Sequence, residues 1–202
     1  RMHYIDEGPR DAPVILMMHG MPSWSFLYRH IIPVMLEAGY RCVAPDHIGF
    51  GKSDKVVDPA WYNIARHTAN TAALIQHLDL TDITIMVQDW GGLLGLTLPM
   101  QAPERYRGLL VMNTLLATGD TGLSPGFVSW REMCAKNPEF DVARLFARGN
   151  PHLSPEECQA YNAPFPDRGH RAALRAFPPL VPEFEDSDGA AVSRQARAYS
   201  SW

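Results

Sequence analysis

No run of about 18 apolar residues occurs in this 202-residue chain, so no helical membrane span is expected. The N-terminus lacks the charged-then-apolar pattern of a secretory leader. Cysteine is scarce: Cys42, Cys134 and Cys158 are odd in number and far apart, with no C-x-x-C pair. That argues against a disulfide framework and for a reduced, cytoplasmic setting with the thiols as small buried apolar groups. No metal site is expected. Neither sign of charge dominates, the net being −4 and the isoelectric point near 6.0. That balance gives no electrostatic reason to expect a nucleic-acid or membrane partner. Internal repeats and low-complexity tracts are also missing. What remains is ordinary for a globular chain, 46% hydrophobic and 20% charged, long enough for one domain or one domain carrying an insertion.

Four apolar runs bounded by turn residues have strand character: residues 14–18, 41–44, 83–87 and 109–112. Their hydrophobicity is continuous rather than alternating, which predicts strands covered on both faces, as in a parallel sheet. Residues 1–8 read as a strand already under way that runs into a turn, so further residues are expected upstream. Helical spacing occupies the intervals at 26–37, 64–78 and 91–100. The second carries an apolar stripe of Ala69, Ala72, Ala73, Leu74 and Leu78, and the third is apolar nearly all round. Alternating strands and helices predict an α/β fold, a mostly parallel sheet with helices on both faces, over residues 1–114. After Thr114 the texture changes, with nine of the seventeen prolines and no further strand run. Short helices are expected at 141–147, 155–161 and 169–177, and a last one still runs at Trp202. Residues 115–202 therefore read as an inserted helical lid, since Phe127, Trp130, Phe146, Tyr161 and Phe177 supply core material that a disordered tail lacks.

The chemistry concentrates in two turns. In Ile83-Thr84-Ile85-Met86-Val87-Gln88-Asp89-Trp90-Gly91-Gly92 a strand passes directly into a helix through small residues around a central acid. This is the nucleophile-elbow pattern with Asp where serine usually stands. Asp89 could alternatively serve only as the N-cap of that helix. A carboxylate with an ordinary pKa near 3.9 is ionised at neutral pH and can displace a leaving group from saturated carbon, leaving an ester that water must hydrolyse. The helix N-terminus beneath it is expected to favour the ionised form. The second turn is His19-Gly20-Met21-Pro22-Ser23-Trp24. Its Met21 amide and the Trp90 amide are the expected oxyanion-hole donors, with His19 structural. The loop Pro45-Asp46-His47-Ile48-Gly49-Phe50-Gly51-Lys52-Ser53-Asp54 lacks either phosphate-loop spacing and reads as a structural loop beside the elbow.

These motifs together resemble the haloalkane dehalogenases of the α/β-hydrolase superfamily, in the branch typified by the dichloroethane-degrading enzyme. The resemblance extends through Leu96-Thr97-Leu98-Pro99-Met100, Gly126-Phe127-x-x-Trp130 and Ala160-Tyr161-x-Ala163-Pro164-Phe165-Pro166-Asp167. It implies hydrolysis of a small halogenated hydrophobic substrate to alcohol and halide, a detoxifying reaction without cofactor or metal, through an alkyl ester on Asp89. It also implies halide binding by the Trp90 indole and a second lid tryptophan, for which Trp130 is the candidate. In the dichloroethane-type enzyme that donor lies further along, where this chain carries Gly149. A monomer is expected.

The hydrolytic half-reaction needs a histidine and an orienting acid. The stretch Val111-Met112-Asn113-Thr114 after the fourth run offers no acid, and His152 and His170 do not match the family's base. Both groups are expected beyond residue 202, so the chain reads as truncated at both ends. Two other readings stay open. An epoxide hydrolase would share the acidic elbow and use lid tyrosines, Tyr161 foremost, although Gln88 argues against it. A hydrolase-fold binding protein would need no base.

Overall fold

The computed structural model describes residues 1–200; Trp202, where the last helix is expected to be still running, lies outside the described residues. Five strands form one sheet in the order β1-β3-β2-β4-β5: β1 Tyr4–Glu7, β2 Val14–Met18, β3 Arg41–Pro45, β4 Ile83–Gln88 and β5 Tyr106–Met112. All neighbours are parallel except β1, which runs antiparallel to β3. The opening residues thus form a strand, as read from the sequence, pinned by a fork of hydrogen bonds from Arg41 to Asp6 at 2.7 and 2.8 Å.

Alternate residues of the central strands enter two separate apolar clusters, as continuous hydrophobicity predicts. Leu16, Met18, Ile85 and Val87 face α2 (Ile64–His77) and α3 (Trp90–Gly95), whereas Ile15, Met17 and Met86 face Tyr28 and α1 (Ile31–Glu37). Two expected helices are shorter than their patterns. The 26–37 segment splits into a 3₁₀ turn, Ser25–Tyr28, and α1. Pro33 is tolerated only in a helix's first turn, so α1 must begin close before it. Likewise α3 ends at Gly95, short of Leu98, where Pro99 disfavours helical backbone.

β5 departs from the expectation of strands covered on both faces. Among the described residues it pairs only with β4, and Leu109, Leu110 and Val111 are 47%, 43% and 49% exposed. Beyond it all regular structure among the described residues is helical: α4 Pro125–Lys136, α5 Val142–Gly149, α6 Pro155–Asn162, α7 Ala172–Ala176 and α8 Ala190–Tyr199. The sequence reading missed α4, although Ser124-Pro125 is a start signal: Ser124 accepts from the Phe127 amide and Pro125 occupies the first turn. The helices dock through aromatic rings, Phe165 and Phe177 against Phe50 and Phe177 against Tyr62. Polar contacts add to this: the Trp24 indole donates to the Ala160 carbonyl at 3.1 Å, and Arg29 bonds both Glu157 and the Tyr161 hydroxyl.

The turns at the top of the sheet are fixed by polar groups that water does not reach. Asp46 is fully buried and accepts from the amides of Ser25 and Lys52 at 2.8 and 2.9 Å, which makes the Gly-rich loop structural, as its sequence suggests. His19 donates through Nδ1 to the Gly20 carbonyl at 2.8 Å and accepts the His47 amide on Nε2 at 3.0 Å. His47 and His67 continue this row, with ring centres 4.3 and 6.2 Å apart. Burial pushes His19 down to about 4 and His67 to about 3, and holds His47 well below the ordinary value.

The folded state keeps three imidazoles neutral that the unfolded chain protonates near 6.5, so stability is complete above that pH and falls as pH drops through it. Each histidine contributes a slope of about 1.4 kcal/mol per pH unit until its folded pKa is reached. Both ring nitrogens of His67 lack partners among the described residues, so His67→Phe should raise the urea midpoint at pH 5 and remove about one proton from the slope. Separately, the exposed apolar edge of β5 should make the 202-residue chain associate with rising concentration. Leu110→Lys should reduce that association in light scattering.

Candidate active site

The connection leaving β2 crosses to β3 on one side, and the connection leaving β4 crosses to β5 on the other. Such a reversal opens a crevice at the C-terminal ends of two neighbouring parallel strands. The two motif-bearing turns both sit there, His19 to Trp24 after β2 and Asp89 after β4. They touch: the Met21 amide donates to Asp89 Oδ1 at 2.9 Å, and the Trp90 amide lies near enough to the carboxyl group to lower its pKa. Gly20 is required by this approach, because a Cβ there would overlap the Asp89 carboxyl group.

Asp89 holds backbone angles of φ 53° and ψ −122°, a region that residues with a side chain rarely occupy. Its side chain makes no capping bond to α3, so the N-cap alternative has no hydrogen bond to rest on. The electrostatic outcome differs from the sequence expectation of an ordinary, helix-favoured carboxylate. Burial raises the Asp89 pKa, and the Trp90 and Met21 amides only partly oppose it. Desolvation outweighs the hydrogen bonds because few donors reach the group within a largely apolar wall.

The carboxylate opens into a cavity of about 370 Å³ lined by Trp90, Leu93, Asn113, Thr114, Phe127 and Val181 among others. The Trp90 ring is 5% exposed and packs edge-on to Phe177 with centres 4.9 Å apart. Trp130 is not brought to this cavity; its ring packs against Phe140 at 5.8 Å, and Phe127, one helical turn earlier on α4, faces the space instead. Gly149 closes α5 and is likewise absent from the lining. In sequence Trp130 is the more conspicuous of the two rings because it carries a donor, and Asn113 and Thr114 offer no acid or base to mark them.

Among the described residues no histidine lines the cavity. His19, the imidazole nearest in sequence to the oxyanion turn, has both nitrogens engaged and stays neutral through burial. His170 is on the surface, paired with Asp167 at 2.8 Å. The described residues also contain no cluster able to hold a metal ion, and no helix long and apolar enough to cross a membrane.

Residues 13–177 match the α/β-hydrolase fold family. Curated relatives include haloalkane dehalogenases from Psychrobacter cryohalolentis, 43% identical, and Mycolicibacterium paratuberculosis, 41% identical, each over 97% of this chain. The chain spans 65% of the length of each of them. Among solved structures, the tetrameric haloalkane dehalogenase DpaA from Paraglaciecola agarilytica NO2 superposes with a TM-score of 0.95 at 39% identity, covering all of this chain and 68% of that one. DatA from Agrobacterium tumefaciens C58 superposes with a TM-score of 0.80 at 28% identity, covering 98% of this chain and 70% of that one. By fold, by motif and by these relatives, the chain belongs to the haloalkane dehalogenases of the α/β-hydrolase family.

Proposed function

We propose that the protein dehalogenates small haloalkanes, with Asp89 as the nucleophile. The observation that carries this reading is a part-buried carboxylate opening into a largely apolar cavity, held by the Met21 amide, with Trp90 in the wall of the same cavity. An Asp89 oxygen attacks the halogen-bearing carbon, the new C–O bond forms as the carbon–halogen bond breaks, and the electron pair leaves with the halide. Trp90 donates its indole N–H to the departing halide, whose charge develops in the transition state. The Met21 and Trp90 amides then hold the carbonyl oxygen of the ester as water adds to it. Burial serves the first step by removing water from the attacking oxygen. Residues 115–202 act as the lid, closing the cavity with Phe127 and Val181. A second halide donor is not assigned to Trp130, which packs elsewhere.

The epoxide-hydrolase reading loses support because the Tyr161 hydroxyl accepts from Arg29 at 3.1 Å and is not part of the cavity wall. The tetrameric DpaA also weighs against the expectation of a monomer.

Mass spectrometry after incubation with 1-bromobutane should find the 202-residue chain carrying one butyl group on Asp89, and none on Asp89→Asn. Sustained bromide release without an adduct would show a base acting on the ester, and absence of both would sink the dehalogenase reading. The alkylation rate should follow the ionised fraction of Asp89. It should therefore be full at high pH and fall on acidification through a midpoint above the ordinary carboxylate value of 3.8, since burial raises this group. Bromide should quench tryptophan fluorescence saturably, and Trp90→Phe should abolish the saturable part.

A further inference from the structure

Thr114 is the first residue but one after β5, and its hydroxyl reaches back to the nucleophile turn. Thr114 Oγ1 lies 2.6 Å from the backbone carbonyl oxygen of Asp89. A carbonyl has no proton to give, so the hydroxyl is the donor. The same oxygen accepts the Gly92 amide at 3.0 Å, so both of its lone pairs are used. These two bonds fix the orientation of the peptide plane that follows Asp89, in a residue whose φ of 53° the backbone would otherwise leave. Gly92 shows how closely the parts fit: a Cβ there would overlap the Thr114 hydroxyl and methyl groups. Asn113 also lines the cavity, with φ 42°.

We propose that Thr114 is a positioning residue for Asp89, its hydroxyl holding the elbow so that the carboxylate stays aimed at the Met21 and Trp90 amides. The peptide plane held by Thr114 includes the Trp90 nitrogen itself, so the bond sets the direction of one of the two donors. The proposal rests on the reading of Asp89 as nucleophile for its effect on rate, but its effect on geometry stands apart from that reading. The hydroxyl is presented from the loop that leads into the helices, and that loop is anchored further on. Arg194 donates to the Thr118 carbonyl at 2.9 Å and Arg197 to Asp120 at 2.8 Å. The nucleophile is thereby tied through one short loop to α8.

Thr114→Val keeps the shape and removes the donor, and Thr114→Ser restores the donor without the methyl group. Two readouts apply to both, with folding checked by circular dichroism. In the first, the ¹³C resonance of the Asp89 carboxyl is titrated. Valine should raise the midpoint, because a loosened elbow weakens the two amide interactions that lower it, and serine should bring it back. In the second, alkylation of Asp89 by 1-bromobutane should slow by about tenfold with valine at an unchanged half-saturating concentration, and recover to within about twofold with serine. Valine behaving as wild type in both readouts overturns the proposal, as does serine failing alongside valine. If the wild-type protein is not alkylated at all, the dehalogenase reading fails and the titration alone decides for or against Thr114. Where valine disturbs the fold, Thr114→Ala, which vacates space instead of filling it, takes the same tests with the same expected shifts.

Discussion

One hydrogen bond joins the two halves of the crevice: the amide of Met21, after β2, to the carboxylate of Asp89, after β4, across 68 residues of sequence. It can form only because β2 and β4 are adjacent and parallel and end at the same height, Met18 opposite Val87. It can stay short only because Gly20 leaves room for the carboxylate. Much of the surrounding structure serves that alignment. The His19 ring braces its own turn against the Gly-rich loop, and Asp46 braces that loop against the Ser25 and Lys52 amides. The cost is a row of buried imidazoles that remain uncharged because solvation is denied to them.

Much of this was legible in the sequence, for reasons that can be stated residue by residue. The central strands announce themselves because burial on both faces demands continuous apolar runs, and 14–18 is apolar throughout while 83–87 is interrupted only by Thr84. Asp89 and Met21 are legible because a sharp strand-to-helix turn and a close backbone approach each need small residues at fixed offsets. The edge position of β5 was hidden, since an apolar run looks the same whether or not a neighbour covers it. Trp130 misled for a related reason. Phe127 and Trp130 lie three residues apart on one helix, and only tertiary placement decides which ring meets the cavity. The sign of the shift at Asp89 was equally out of reach. Sequence reveals the helix N-terminus behind the carboxylate but not how little solvent reaches it.

The aromatic packing connects these parts. Phe177 from the helical segment sits against Trp90 of the proposed halide site, against His67 of the buried row and against Phe50 of the Gly-rich loop. Its substitution would disturb each of them at once, so effects on that ring cannot be apportioned to one neighbour without double-mutant cycles.

That shared packing bears on how the molecule comes apart. Residues on both sides of position 114 belong to a single apolar cluster, in which Leu16, Ile85 and Trp90 are continuous with Val142, Phe165 and Leu174. A helical insertion with its own core could melt ahead of the sheet and leave it standing. Here the helical segment has no cluster apart from the one it shares with the sheet, whose other face keeps a core of its own, so calorimetry should record one cooperative endotherm, with no early melting of the helices alone. The boundary after Thr114 divides topology, not cooperativity.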